Sequence, residues 1–266
     1  MPQAQAKGDE LMSRLLKLVQ EEGVVATGKV EPLQLRMVRS EAEKLLKTDA
    51  FKARVVLGSY HAHRGNYEDS LFNHRQSLEL DPNDWVATFN YGVDLFHFGD
   101  FVEAESLFGA LSDQDHSDVE STYSAMECAA YSLQFRKCLT YLERLEKFSD
   151  PKDIPSSKMP QHALKRYKQE GVSDEDGAAY YETARGVLRR NGIHDIKAWL
   201  GLSEGLVIHW LRVNRDPEEI AELSEELAFA LADLEVAPKI SRIISLTYSA
   251  TLPVPEGRKE TEVIAG

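Results

Sequence analysis

One pattern is written twice between Phe51 and Asp118, and its period of 34 residues restricts the fold more than any other feature of the chain. Gly58 matches Gly92, Gly65 matches Gly99, Tyr67 matches Phe101, and Ser70 matches Ala104. The first copy closes on Asp81-Pro82-Asn83-Asp84, and Trp85 opens the second. A fixed period with small residues at matched points predicts a repeated helix-turn-helix, since each pair of helices must approach and turn at the same places. A third copy keeps the period. Phe135, Cys138, Leu142 and Leu145 each fall 34 residues after Phe101, Ala104, Phe108 and Leu111. There Met126 replaces the helix glycine and Leu133 the turn glycine, so this pair is expected to pack more openly.

These landmarks resemble the tetratricopeptide repeat (TPR) family, in which a small residue lets two helices touch, an aromatic starts the second helix and a proline ends the unit. The resemblance implies a mainly α fold, an α-solenoid of about three repeats over residues 51–149, acting as a partner-binding scaffold. Residues 1–50 carry apolar side chains at helical spacing over 9–22 and 31–47 and read as a cap or degenerate half-repeat.

The pattern stops at 149–160, where three prolines and three serines in twelve residues mark a linker, followed by a short helix over 161–170. Residues 150–172 are thus read as linker and 173–252 as a separate small α/β module. Ser173 caps a helix to 191, with Asp176 as its capping-box acid. Apolar runs 196–202 and 206–213 flank Ser203-Glu204-Gly205 as a hairpin. Asp216-Pro217 opens a helix to 235, and 240–251 alternates as a third strand. The order α-β-β-α-β is ferredoxin-like without its first strand. Residues 253–266 read as tail, with 262–265 a possible edge strand.

The net charge of −13 argues against nucleic acid as a partner, since phosphate binding needs a basic face. The excess is concentrated in residues 51–150, with seventeen acids against eight bases. Cys128 and Cys138 are too few for a disulfide framework and fit reduced thiols in the cytoplasm. The N-terminus lacks a signal-peptide pattern, and no apolar run approaches a membrane span.

No cofactor motif and no convincing catalytic constellation are legible, so the expectation is a non-enzymatic protein with no cofactor and no metal. His61 and His63 do not share a helical face, which counts against a metal site with His74. Asp113, Asp115 and Asp118 lack the glycine and terminal glutamate of a calcium loop. Gly201-Leu202-Ser203-Glu204-Gly205 spells a nucleophile elbow but sits in a hairpin, and the only later histidine is His209. The glutamates 218, 219, 222, 225 and 226 read as the wet face of a helix, or as a dock for a basic partner.

The TPR resemblance implies a concave groove lined by the first helix of each repeat. Its residues here are Lys52, Val55, Ser59 and His63; Val86, Phe89, Asn90, Val93 and His97, with Phe96 nearby; and Glu120, Tyr123, Glu127 and Tyr131. An apolar, aromatic middle suits an apolar peptide or helix. A further helix of the same chain, 31–47 or one from the C-terminal half, filling the groove is the equal alternative. The carboxylate-clamp places of the TPR subclass that binds acidic chaperone tails hold Val55, Ser59, Asn90, Glu120 and Ser124, so that ligand is not expected. Residues 108–118 resemble the small acidic chaperones of type III secretion translocators, which makes a chaperone for an apolar client the second reading. The third is an enzyme domain over 174–251 regulated by the repeats. The sheet edge at 240–251 carries few charges, and edge-to-edge pairing as a homodimer is expected from it.

Overall fold

A computed structural model describes residues 2–22 and 31–250; the loop at 23–29 and the tail with its run at 262–265 lie outside them. The fold is mainly helical with a small three-stranded mixed sheet near the C-terminus. The chain divides into two compact units, one up to Phe98 and one from Gly99 on.

The first unit contains α1 (Pro2–Glu22), α2 (Leu33–Leu45), α3 (Ala50–His63), α4 (Tyr67–Leu80) and α5 (Trp85–His97). The helix α1 starts well before residue 9, where the sequence pattern placed it. Leu11, Leu15 and Leu18 recur on one face of α1 and bury against Leu35, Val38, Ala42 and Leu45 of α2 and Ala53, Val56 and Leu57 of α3. Gly58 permits the close approach of α3 and α4: a Cβ there would lie 2.6 Å from Nε2 of His74.

The second unit contains α6 (Phe101–Gln114), α7 (Val119–Tyr131), α8 (Phe135–Phe148), a short 3-10 turn (Pro151–Asp153), α9 (Lys158–Glu170) and α10 (Asp174–Arg190). Then come β1 (Ile196–Ser203), β2 (Leu206–Val213), α11 (Pro217–Ala232), α12 (Ala237–Ile240) and β3 (Ile244–Ala250). The period survives in the helix bounds. α4, α6 and α8 start at 67, 101 and 135 and end at 80, 114 and 148. Asp49, Asp84 and Asp118 each cap the following helix by accepting the backbone N–H of Lys52, Ala87 and Ser121.

The proline-rich linker is shorter than the sequence suggested. α9 already begins at Lys158, because Pro160 falls in its first turn, where a missing N–H costs nothing. α9 is also bound into the unit: Ala163 and Tyr167 are fully buried, and the Tyr167 hydroxyl donates to the carbonyl of Leu133 at 3.1 Å. Asp174, at the start of α10, accepts the backbone N–H groups of Arg136 and Lys137 and so caps α8 from across the unit.

The strand order is β1-β2-β3, with β1 antiparallel and β3 parallel to β2. The third strand begins at Ile244 rather than 240, since Ala237-Pro238-Lys239-Ile240 turns as a helix and buries Ile240 and Ile243. The element order is as expected, but β3 pairs directly with β2, where the split ferredoxin-like pattern would hold a strand between them. Val207, His209, Leu211 and Val213 point to a fully buried face, where the Tyr248 hydroxyl donates to the Ala184 carbonyl of α10 at 2.6 Å. The opposite face carries Trp199, Gly201, Ile208, Trp210 and Arg212, all half-buried.

Candidate binding site

That second sheet face closes a cavity of about 280 Å³ against α7, α8 and the 155–160 segment. From α7 come Met126, Glu127, Ala130 and Tyr131, which helical spacing gathers on one side. From α8 come Cys138 and Leu142, from the connecting segment Pro155, and from the start of α9 Met159 and Pro160. The sheet gives Trp199, Gly201, Ile208 and Trp210, with Ser203 at the hairpin end. Trp199 and Trp210 stand opposite each other in the hairpin register, ring centroids 5.0 Å apart. The Arg212 guanidinium lies 4.7 Å from the Trp199 ring centre. Nε1 of Trp199 is buried without an acceptor among the described residues.

Glu127 is the one charged side chain in this lining. Burial pushes its carboxyl up to about 7, since no described residue donates a hydrogen bond to it or pairs with it. Burial also raises the Tyr131 hydroxyl and pushes the Cys138 thiol up to about 12, which keeps that thiol protonated and unreactive.

Of the expected groove residues on α7, Glu127 and Tyr131 enter this cavity, Tyr123 is half-buried beside it in sequence, and Glu120 is exposed. The surface they line packs against the chain's own strand β1, where the sequence reading had weighed a helix.

The residues on α3 and α5 have other engagements. Lys52 pairs with Asp9 of α1 at 3.1 Å, and Val55 is buried in the core. Ser59 donates to Asp94 at 3.0 Å, and the same carboxylate oxygen lies 2.6 Å from Nε2 of His74. This Ser–Asp–His cluster is not a catalytic triad: the carboxylate stands between serine and histidine, so no base reaches the hydroxyl. Phe89 stacks on Trp85 at 4.7 Å, Val86 is exposed, and Asn90, Val93 and Phe96 are half-buried. His97 is exposed and His63 buried.

The weighed chemical motifs resolve into structural roles. Asp113 pairs with Arg144, Asp115 accepts from Ser117, and Asp118 caps α7, so the three acids do not converge. His61 faces Asp69 while His74 faces Asp94. Glu204 and Gly205, both at positive φ, form the two-residue hairpin turn. Ser203 and His209 sit on opposite sheet faces, His209 fully buried, which removes it as a base for Ser203. On α11, Glu226 pairs with Arg190 at 2.9 Å, while Glu218, Glu219, Glu222 and Glu225 face solvent.

The tryptophans of the cavity escaped the sequence reading, although their signal was present. A hairpin turning at Glu204-Gly205 places residue 199 opposite 210, on one face. No protein-family model matches this sequence, and no curated protein matches it. Among the described residues no helix is long and apolar enough to cross a membrane.

Proposed function

We propose that this chain is a partner-binding adaptor of the TPR kind, working in the cytoplasm, and that it recognises its partner through the cavity between α7, α8 and the tryptophan face of the sheet. This partly open cavity carries the reading. It is apolar, walled by aromatic rings, and furnished with one unpaired carboxyl, the composition of a recognition pocket. The 34-residue spacing kept by the bounds of α4, α6 and α8 supports the repeat resemblance. The occupant in this reading is a side chain or small head group, in keeping with a cavity of about 280 Å³ at the low end of ligand pockets.

Gly201→Leu tests the proposal. Gly201 lines the cavity, and a Cβ there would make only ordinary contact, 3.4 Å from Trp210, so a larger side chain at this position adds bulk to the cavity wall. Partners captured by the wild-type chain from its own host are expected to be lost by the variant at an unchanged melting temperature. Capture of the same partners by both would remove the cavity from the proposal. A single client with an exported apolar segment would turn the adaptor into a secretion-type chaperone.

A further inference from the structure

We propose that the cavity holds an alkylammonium group, free or carried on a lysine-type side chain of a protein, between the Glu127 carboxylate and the rings of Trp199, Trp210 and Tyr131. The inference rests on the binding-protein reading above and adds the chemistry of what is bound.

Glu127 is an exception within its own unit. Glu105, almost fully buried where Glu127 is half-buried, pairs with Lys137 at 2.6 Å and accepts from Tyr141 at 2.7 Å. Asp100 pairs with Arg185 and Arg189, and Asp174 accepts two backbone N–H groups. Each of these acids has at least one charged or hydrogen-bonding partner of the kind burial demands. Glu127 has none among the described residues, and its carboxyl is held near neutrality by burial alone. A carboxyl in that state gains most from the arrival of a positive charge.

The walls select which cation. A hydrated metal ion needs several oxygen ligands, and this lining offers one carboxylate. An alkylammonium is weakly hydrated, presents methyl or methylene surface to apolar walls, and is attracted to the faces of aromatic rings. Two indoles and a phenol line the same cavity as the acid. The tryptophan pair already engages one cation, through Arg212 stacked on Trp199. An anion would meet the Glu127 charge, and an uncharged apolar group would leave the carboxyl buried without a partner.

Tryptophan emission of the full chain, titrated with choline, is the test. Its uncharged analogue, with a tert-butyl group in place of trimethylammonium, is the matched control. A peptide carrying trimethyl-lysine, against the same peptide with norleucine, tests the protein source. Choline or the trimethyl-lysine peptide is expected to give a saturable change, with the tighter of the two naming the source. The uncharged partner of each pair should bind at least about tenfold more weakly, as should choline to Glu127→Gln. Equal affinity of charged and uncharged probes on the wild-type chain would overturn the inference, whatever the variant does. So would unchanged affinity in Glu127→Gln, or no response to either cation. Those results leave the wider reading standing if Gly201→Leu still loses its partners, and end both if it does not.

Discussion

Leu133 stands where the two earlier turns have glycine, and it adopts their backbone: its φ is 65°, beside 69° at Gly65 and 74° at Gly99. The left-handed region costs a leucine roughly 1–2 kcal/mol. Its side chain is fully buried, which offsets that cost by roughly 1.5–3 kcal/mol. The loss of glycine was plain in the sequence; that the turn would survive it depended on burial, which one residue's identity does not reveal. His209 is the opposite case. It is fully buried, stacked 5.8 Å from the Tyr181 ring, and neither ring nitrogen has a partner among the described residues. Leaving a buried donor and acceptor unsatisfied costs about 1–3 kcal/mol. His209→Leu, apolar like Leu200 and Leu246 beside it on that face, is therefore expected to raise stability by about that amount at neutral pH. Urea denaturation of the two chains checks it, and a less stable variant would show that the imidazole has a role the packing hides.

At the scale of elements, the helices were legible where local chemistry specified them, and the helix pairs, both capping boxes and the hairpin turn all stand where their residues put them. What failed were boundaries set by contacts distant in sequence. α9 read as a short polar helix from about 161 inside a linker, because its buried side is only Pro160, Ala163 and Tyr167. The cavity was illegible for the same reason, since its tryptophans lie roughly seventy and eighty residues beyond Glu127. One turn residue shows how distant contacts bind the elements. Asp100, the residue just before α6, accepts from Arg185 at 3.0 Å and Arg189 at 2.9 Å, both on α10. The Arg185 side chain is fully buried and also donates to the Ile193 carbonyl. Removing one partner of a buried ion pair strands the other charge, at a cost of about 3–5 kcal/mol. Asp100→Ala is expected to lose that much, while Asp100→Ala with Arg185→Met should recover most of it. Equal losses in both chains, measured by denaturant midpoints, would mean that the pair is not what joins α6 to α10.

For the molecule as a whole, two buried groups of the second unit shape stability against pH in opposite directions. The Glu127 carboxyl is raised from 4.5 to about 7, so the folded state binds its proton more tightly than the unfolded chain does. Its contribution is fully present below pH 4.5 and is lost as pH rises through about 7, a fall of about 3 kcal/mol at the limit. His209 is lowered from 6.5 to about 3 by burial, so the unfolded chain binds the proton more tightly. Its contribution is present above pH 6.5 and is lost as pH falls toward 3. Between about pH 4.5 and 6.5 the two slopes oppose each other and flatten the wild-type profile. Glu127→Gln removes the falling limb, so its stability relative to wild type should grow as pH rises from 5 to 8. His209→Leu removes the acid loss, so its advantage over wild type should grow as pH falls from 7 to 5. Chemical denaturation at several pH values, with each variant read as a difference from wild type, cancels the other titrating groups. A difference for Glu127→Gln that stays flat across pH would place that carboxyl in contact with water or a partner, and would also take away the unpaired acid on which an ammonium site depends.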